Sequence, residues 1–204
     1  PTRELAMQVA DSFKAYAAGP PHFKVLAVYG GTDFRSQIST LRRGVDVVVG
    51  TPGRVMDHMR QGTLDTSGLT SLVLDEADEM LRMGFIDDVE WILEQLPKER
   101  QVVLFSATMP PEIRRLSKRY LNDPAEVTIK TKDQDGKLIR QRAITVPMSH
   151  KLEALQRVLD GCGGEGVLLF ARTKVITLTV AATLGAAGQQ VAVLNGDVPQ
   201  NHRE

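Results

Sequence analysis

Cysteine is almost absent from this sequence, and long apolar runs and a net charge are absent altogether. Cys162 is the single cysteine and can form no internal disulfide, and no paired Cys/His cluster could hold zinc, so we expect a reducing, cytoplasmic environment. No uninterrupted apolar run approaches the ~20 residues of a membrane-spanning helix. Lys plus Arg equals Asp plus Glu at 25 each, so any nucleic-acid contact would have to be local.

The sequence also lacks an initiator methionine and a signal segment. It opens at Pro1 without a basic stretch followed by an apolar one, and it ends at Glu204 within a helical pattern. We therefore expect an internal piece of a longer protein.

Short β-branched runs alternate with helical patterns over the first 130 residues. Apolar runs of this kind suit a sheet that helices cover on both faces, with parallel, right-handed connections. The predicted fold class is therefore α/β, with a doubly wound parallel sheet. Strands are predicted at 25–29, 46–49, 71–74, 101–105 and 126–129.

Three apolar stripes at helical spacing predict helices that face the core. Thr2 is the predicted N-cap of the first of these helices. The stripes consist of Leu5, Val9, Phe13 and Tyr16; of Phe85, Val89, Ile92 and Leu96; and of Ile113, Leu116 and Tyr120.

The alternation stops at a polar, charged stretch and then starts again. Residues 131–142 have the composition of an exposed linker and contain Gly136. We predict one domain at 1–130 and the start of a second, truncated domain at 143–204. In the second domain, strands are predicted at 143–147, 166–170 and 191–194, with helices between them.

The most informative string is LVLDEADEML, in which an apolar strand leads directly into acidic residues. Ligands bind at the carboxyl ends of the strands in open parallel sheets. Nucleotide hydrolysis needs one carboxylate to hold Mg²⁺, usually through water, and another to orient the attacking water. Asp75 suits the metal and Glu76 the water. The alternative is that such acids only favour the dipole at a helix start.

A second string, SAT at Ser106 to Thr108, follows the apolar run VVLF about 30 residues later. By itself it consists of helix-capping residues before Pro110. Together with the string DEAD at Asp75 to Asp78, SAT resembles the DEAD-box helicase family. The resemblance implies that Asp78 hydrogen-bonds to Ser106 and Thr108.

Three further strings match this family in order, namely PTRELA, GG and TPGR. Glycine turns and helix starts expose backbone N–H groups that bind phosphate oxygens without distinguishing bases. Taken singly, each string could equally be a tight turn or a proline at a helix start. The resemblance implies RNA-backbone contacts from Thr2, Arg3, Gly30, Gly31, Thr51, Pro52, Gly53 and Arg54.

In the second domain, LLFARTK resembles the fourth motif of the family, and LNGDVPQNHRE resembles the segment after it. The resemblance implies further RNA contacts from Arg172, Thr173, Gln200 and Arg203. A capped helix at Thr173 would explain the first string without RNA. Asn195 stands where many relatives have His, so it is assigned no role.

The resemblance covers essentially the whole chain. The strings DEADEMLRMGF and LFSATMP are most similar to those of bacterial cold-shock-type members of the family. The resemblance implies two RecA-like domains that use ATP and Mg²⁺ to bind RNA and unwind short duplexes, with ribosomes or RNA-processing proteins as candidate partners. No G-x-x-x-x-G-K-[ST] loop occurs in this sequence, so we expect these 204 residues alone to have little ATPase activity. The alternatives are a non-catalytic RNA-binding or scaffolding module and, less favoured, a DNA helicase.

Overall fold

The computed structural model describes residues 1–17, 23–129, 139–164 and 166–203. The chain divides into two compact units, Pro1–Glu126 and Val127–Glu204. Of the predicted linker at 131–142, residues 131–138 lie outside the described ranges, and 139–142 form neither helix nor strand. No helix within the described ranges has both the length and the apolar character needed to cross a membrane.

The first unit alternates short strands with helices, as predicted for an α/β fold. Its elements in chain order are α1 (Arg3–Tyr16), β1 (Val25–Val28), α2 (Phe34–Arg42), β2 (Val47–Gly50), α3 (Pro52–Arg60), β3 (Ser71–Leu74), α4 (Ala77–Arg82), α5 (Ile86–Gln95), β4 (Gln101–Leu104) and α6 (Pro111–Tyr120).

The four strands in the described part of this unit pair in parallel, in two sheets of two strands each. β1 pairs with β2 from Val25 opposite Val47, and β3 pairs with β4 from Ser71 opposite Gln101. Because both members of a pair run the same way, the segments that follow β3 and β4 emerge at the same edge. This pairing sets the position of the candidate site.

The main core lies where α4, α5 and α6 cover the β3–β4 sheet. Leu93, Ile113 and Leu116 are at most 1% exposed there, and Leu74 and Val89 pack against them. The stripes predicted for the helices α5 and α6 are thereby confirmed.

The stripe predicted for α1 is confirmed only in its first half, where Leu5 and Val9 are half-buried, and is wrong at Phe13 and Tyr16. Its buried residues are Ala6 and Ala10, whereas Phe13 is 39% and Tyr16 is 89% exposed. Small side chains let α1 lie close to β1 and β2, and that close approach decides which face is buried. The predicted N-cap is confirmed, since Thr2 Oγ1 accepts a hydrogen bond from Leu5 N at 3.2 Å.

The second unit contains helices α7 (Lys151–Asp160) and α8 (Lys174–Ala186) and two single-turn 3₁₀ helices, Met148–His150 and Gln200–His202. The strands predicted at 126–129, 143–147, 166–170 and 191–194 are not formed. A strand requires a hydrogen-bonded neighbour, and these apolar runs have none within the described ranges.

Candidate functional site

The acidic residues after β3 and the hydroxyl residues after β4 meet at one sheet edge. Ala77 N donates to Phe105 O at 3.1 Å and Phe105 N donates to Leu74 O at 2.8 Å, so the parallel ladder holds the two segments together past the last strand residues. They enclose an open cavity of about 470 Å³. Its lining residues are Asp75, Glu76, Asp78, Glu79, Arg82, Phe105, Ser106, Ala107 and Thr108.

Asp75 and Glu76 are exposed to this cavity, and the backbone fixes both. Asp75 Oδ1 accepts a hydrogen bond from Glu76 N at 2.9 Å. Glu76 has φ 51° and ψ 50°, a left-handed conformation that is unfavourable for a residue with a Cβ. It stands at the N-cap position of α4, yet its side chain makes no capping hydrogen bond. The helix-start interpretation therefore leaves the Glu76 carboxylate unexplained.

Asp78 is buried, at 6% exposure, and connects the two segments. Its Oδ2 accepts from Thr108 Oγ1 at 2.7 Å and from Thr108 N at 3.0 Å, while its backbone N donates to Ser106 Oγ at 3.1 Å. Ser106 Oγ donates to Thr108 O at 2.7 Å. Ser106 and Thr108 are therefore not helix caps, and the N-cap of α6 is Pro110.

The pKa of Asp78 is lowered to about 2, and the hydrogen bond from the Thr108 hydroxyl is the largest cause. Burial opposes this shift by raising the pKa, whereas the hydrogen bonds with Ser106 and with Thr108 N lower the pKa further. The ionised carboxylate thus contributes stability above the ordinary pKa of an aspartate, and that contribution is lost as the pH falls toward 2.

Two arginines lie over the glycine pair that follows β1. A Cβ at Gly30 would lie 3.7 Å from Nη2 of Arg3 and 4.0 Å from Nη2 of Arg54, and one at Gly31 would lie 2.5 Å from Nη1 of Arg3. Gly31 also has φ 86°, which favours glycine. The structure therefore brings the PTRELA, GG and TPGR strings together.

The first turn of α3 offers backbone donors at the same place. Thr51 is the N-cap of α3 but makes no side-chain capping bond, and Pro52 occupies the first helical position. Val55 N donates to Thr51 O at 3.1 Å, whereas the N–H groups of Gly53 and Arg54 have no partner among the described residues. Such a helix start, beside two guanidinium groups, suits a phosphate.

The start of α1 also lies near the acid pair. The Pro1 nitrogen lies close enough to Glu76, Asp75 and Glu79 to experience their charges. Thr2 and Arg3 therefore stand between the acidic cavity and the glycine pair.

In the second unit, the two predicted RNA-binding strings lie next to each other. Lys174 forms an ion pair with Asp197, and Asn195 Nδ2 donates to Thr177 Oγ1 at 3.3 Å, so the segment before Gln200 packs on the start of α8. Arg172 is exposed.

Thr173 and Gln200 already have local hydrogen bonds in this unit. Thr173 Oγ1 caps α8 by accepting from Ile176 N at 3.2 Å, as the alternative interpretation expects. Arg203 Nη2 donates to Gln200 Oε1.

Sequence reasoning missed Gln37 and His58, which are buried directly behind Arg54. The available signal was spacing, because Arg54 and His58 are four residues apart on α3, as are neighbours on one helix face. Their contact with Gln37 on α2 is tertiary and has no local signature.

Comparisons with known proteins agree with this arrangement. The model of the DEAD/DEAH box helicase family matches residues 1–116. The ATP-dependent RNA helicase DeaD of Mycobacterium tuberculosis is 52% identical over 204 residues, which is 100% of this chain and 36% of that protein. The Escherichia coli K12 protein of the same name is 48% identical over 100% of this chain and 32% of its own length. The chain thus spans about a third of the length of these curated relatives.

Solved structures confirm the predicted α/β, RecA-like fold class. The crystal structure of a DEAD box protein from the hyperthermophile Methanococcus jannaschii matches with a TM-score of 0.61 at 40% identity, over 100% of this chain and 54% of that one. The yeast DEAD-box splicing factor Prp28 matches with a TM-score of 0.56 at 33% identity, over 60% of this chain and 30% of that one.

Proposed function

The chain belongs to the DEAD/DEAH box helicase family, and on that premise we propose that it forms part of an ATP-dependent RNA helicase. In this proposal it contributes the carboxylate side of the ATPase site and a surface for the RNA backbone. The observation that carries the proposal is the bond between Asp78 and Thr108, which joins the acids after β3 to the segment after β4.

Asp75 fits a site for a magnesium nucleotide. The described residues contain no group of three or more His, Cys, Asp or Glu side chains that could hold a metal alone. Mg²⁺ characteristically takes only one or two protein carboxylates and keeps water and phosphate oxygens as its other ligands. Asp75, exposed to the cavity, would hold the ion through water, and the ion would neutralise charge that develops on the transferred phosphate.

Glu76 would orient the attacking water and accept its proton. The left-handed backbone at Glu76 holds the carboxylate at the cavity without a local hydrogen bond that would have to break. Strained backbone of this kind persists where the surrounding structure over-determines it, which happens most often at functional sites.

Asp78, Ser106 and Thr108 would transmit the state of the nucleotide to the RNA-binding surface. Their bonds connect the two segments that line the cavity, so a displacement of one segment has to displace the other or break a buried bond. This coupling would let ATP act as a switch that closes two RecA-like domains on RNA.

RNA would be held by its backbone alone. Arg3, Arg54 and the N–H groups at the start of α3 are donors without base-specific geometry, so binding should be independent of RNA sequence. From the second domain, Arg172, Thr173, Gln200 and Arg203 would contact the same strand. Domain closure would bend it and melt a short duplex. Ribosomes or RNA-processing proteins are candidate partners, and the cytoplasm is the proposed location.

The decisive experiment replaces Glu76 by Gln in the full-length protein. Gln keeps the size of the side chain but cannot accept the proton, so we expect RNA-stimulated ATP turnover to fall on the order of 10²- to 10⁴-fold. ATP and RNA affinities should change little. Steady-state phosphate release measures the turnover, and equilibrium binding measures the two affinities.

Glu79→Gln is the matched control, since Glu79 lines the same cavity but is paired with Arg82. It should keep near wild-type turnover. Wild-type turnover by Glu76→Gln would remove Glu76 from the mechanism. RNA binding without any ATP turnover in the unmodified protein would instead favour a non-catalytic RNA-binding module.

A further inference from the structure

Two buried polar side chains have no place in the function proposed above. Three polar or charged side chains are buried in the described part of the chain: Asp78, Gln37 at 6% exposure and His58 at 0%. Gln37 Oε1 and His58 Nε2 are 2.8 Å apart. Buried polar groups cost desolvation energy that only complete hydrogen bonding offsets. Such a pair between α2 and α3 therefore requires a physical reason.

Every hydrogen-bonding position of the Gln37 amide is used. Its Nε2 donates to Tyr29 O at 3.1 Å and to Thr32 Oγ1 at 2.8 Å. Its Oε1 accepts from Arg54 Nη1 at 3.1 Å and contacts His58 Nε2. A backbone carbonyl can only accept and a guanidinium can only donate, so the amide cannot be turned round. Gln37 is therefore locked between β1 and α3.

The orientation of Gln37 makes His58 Nε2 a hydrogen-bond donor. Since Gln37 presents an oxygen, His58 Nε2 must carry a hydrogen and donate it. Nδ1 lies 2.8 Å from Thr63 Oγ1, and that hydroxyl also donates to His58 O at 3.1 Å. Burial lowers the pKa of His58, Arg54 lowers it further, and Asp57 opposes them. The lowered pKa favours the neutral ring, and both ring nitrogens lie within hydrogen-bond distance of a partner.

The same cluster holds the Arg54 guanidinium. Nη1 also donates to Thr32 O at 3.4 Å, and the group lies 5.1 Å from the centroid of the Phe34 ring. The Arg54 side chain is only 14% exposed. Its Nη2, which faces Gly30, has no hydrogen bond to any described residue. One edge of the guanidinium is held and the other is presented at the glycine pair.

We propose that Gln37 and His58 are positioning residues for RNA binding, because they hold Arg54 with its Nη2 directed at the backbone phosphate that the glycine pair receives. The inference rests on the proposed function, since it requires Arg54 to contact RNA. An arginine fixed before binding loses less side-chain entropy on binding than a mobile one. Neither Gln37 nor His58 needs to touch RNA.

A double-mutant cycle in the full-length protein tests this dependence. The readout is the fluorescence anisotropy of a short fluorescein-labelled oligouridine, bound in the presence of a non-hydrolysable ATP analogue. We expect Arg54→Ala to weaken RNA affinity roughly tenfold and Gln37→Leu roughly fivefold. If Gln37 acts through Arg54, Gln37→Leu has little further effect in the Arg54→Ala background.

A second variant keeps the test independent of one substitution. His58→Phe retains an aromatic ring against Phe34, which stacks on His58 at 4.3 Å, but cannot donate to Gln37. It should behave like Gln37→Leu in the same cycle. Ile113→Val, in the core away from this cluster, is the control for stability. It should lower Tm and leave RNA affinity unchanged.

The outcomes separate this inference from the proposed function. If Arg54→Ala binds RNA as the unmodified protein does, the role proposed for Arg54 is wrong whatever the other variants do. If Arg54→Ala weakens binding but the effects of Gln37→Leu and His58→Phe are absent or fully additive to it, Arg54 binds RNA without their help. The positioning role is then refuted.

Discussion

At the scale of single residues, backbone conformation distinguishes Glu76 and Gly31. Both have positive φ, 51° at Glu76 and 86° at Gly31. Glycine adopts such a conformation without penalty, whereas a residue with a Cβ is destabilised by roughly 1–3 kcal/mol. Glu76 holds this conformation although glycine would relieve the strain, which is consistent with a requirement for its carboxylate. At Gly31 the missing side chain is what leaves room for Arg3.

Gly31→Ala tests whether Arg3 needs the space that the missing side chain of Gly31 leaves. A Cβ at this position would lie 2.5 Å from Nη1 and 3.0 Å from Cζ of Arg3. The guanidinium is the far end of a flexible side chain, so we expect the protein to fold but Arg3 to leave the turn. RNA affinity should fall roughly tenfold, and the unfolding free energy by about 1 kcal/mol because of the positive φ. Oligouridine binding and thermal denaturation measure the two effects.

Gly44→Ala is the control that introduces backbone strain at a positive φ without any contact with Arg3. Gly44 has φ 77°, but a Cβ there would meet nothing within 4 Å. The stability loss should match that of Gly31→Ala, and RNA affinity should not change. Equal weakening of RNA binding by the two variants would mean that Arg3 has no special role.

At the scale of elements, the parallel pairing of β3 with β4 places residues that are distant in the sequence at one site. Leu74 lies opposite Leu104, so the acids and the hydroxyls that follow must lie at one edge. This part could be predicted, because apolar strands and the residues after them are local features. Other parts could not. The burial of Ala6 and Ala10 depends on how closely α1 approaches its sheet, and the contact of Gln37 with His58 spans 21 residues.

The end of α5 depends on a single arginine. Arg100, directly before β4, donates from Nη2 to Leu93 O at 2.9 Å and from Nη1 to Leu96 O at 3.2 Å and to Pro97 O. A cation at helix carbonyls also complements the helix dipole. We expect Arg100→Ala to lower the unfolding free energy by about 2 kcal/mol, measured by urea denaturation of the full-length protein.

Arg114→Ala is the comparison for Arg100. Arg114 is an exposed arginine on α6 whose side chain makes no hydrogen bond or ion pair with any residue that the structure describes. Its replacement should change the unfolding free energy by no more than about 0.5 kcal/mol. If Arg100→Ala costs no more than Arg114→Ala, the carbonyl contacts contribute nothing measurable.

At the scale of the whole chain, the charge of these 204 residues is balanced while the candidate RNA surface is locally cationic. The formal net charge is +0 at pH 7. Long-range attraction of an anion is therefore weak, and affinity has to come from short-range contacts at Arg3, Arg54 and the start of α3. Each such contact releases counterions from the RNA, so the salt dependence of binding counts these contacts.

The salt dependence gives the last prediction. For single strands, the logarithm of the binding constant falls with the logarithm of salt concentration by about 0.7 for each neutralised phosphate. Arg3→Gln and Arg54→Gln should each reduce that slope by about 0.7, equally for oligouridine and oligoadenosine. Lys98→Gln removes an exposed cation away from this surface and should leave the slope unchanged. A loss confined to one RNA sequence would show that bases are recognised, and an unchanged slope for Arg3→Gln and Arg54→Gln would place the phosphates elsewhere.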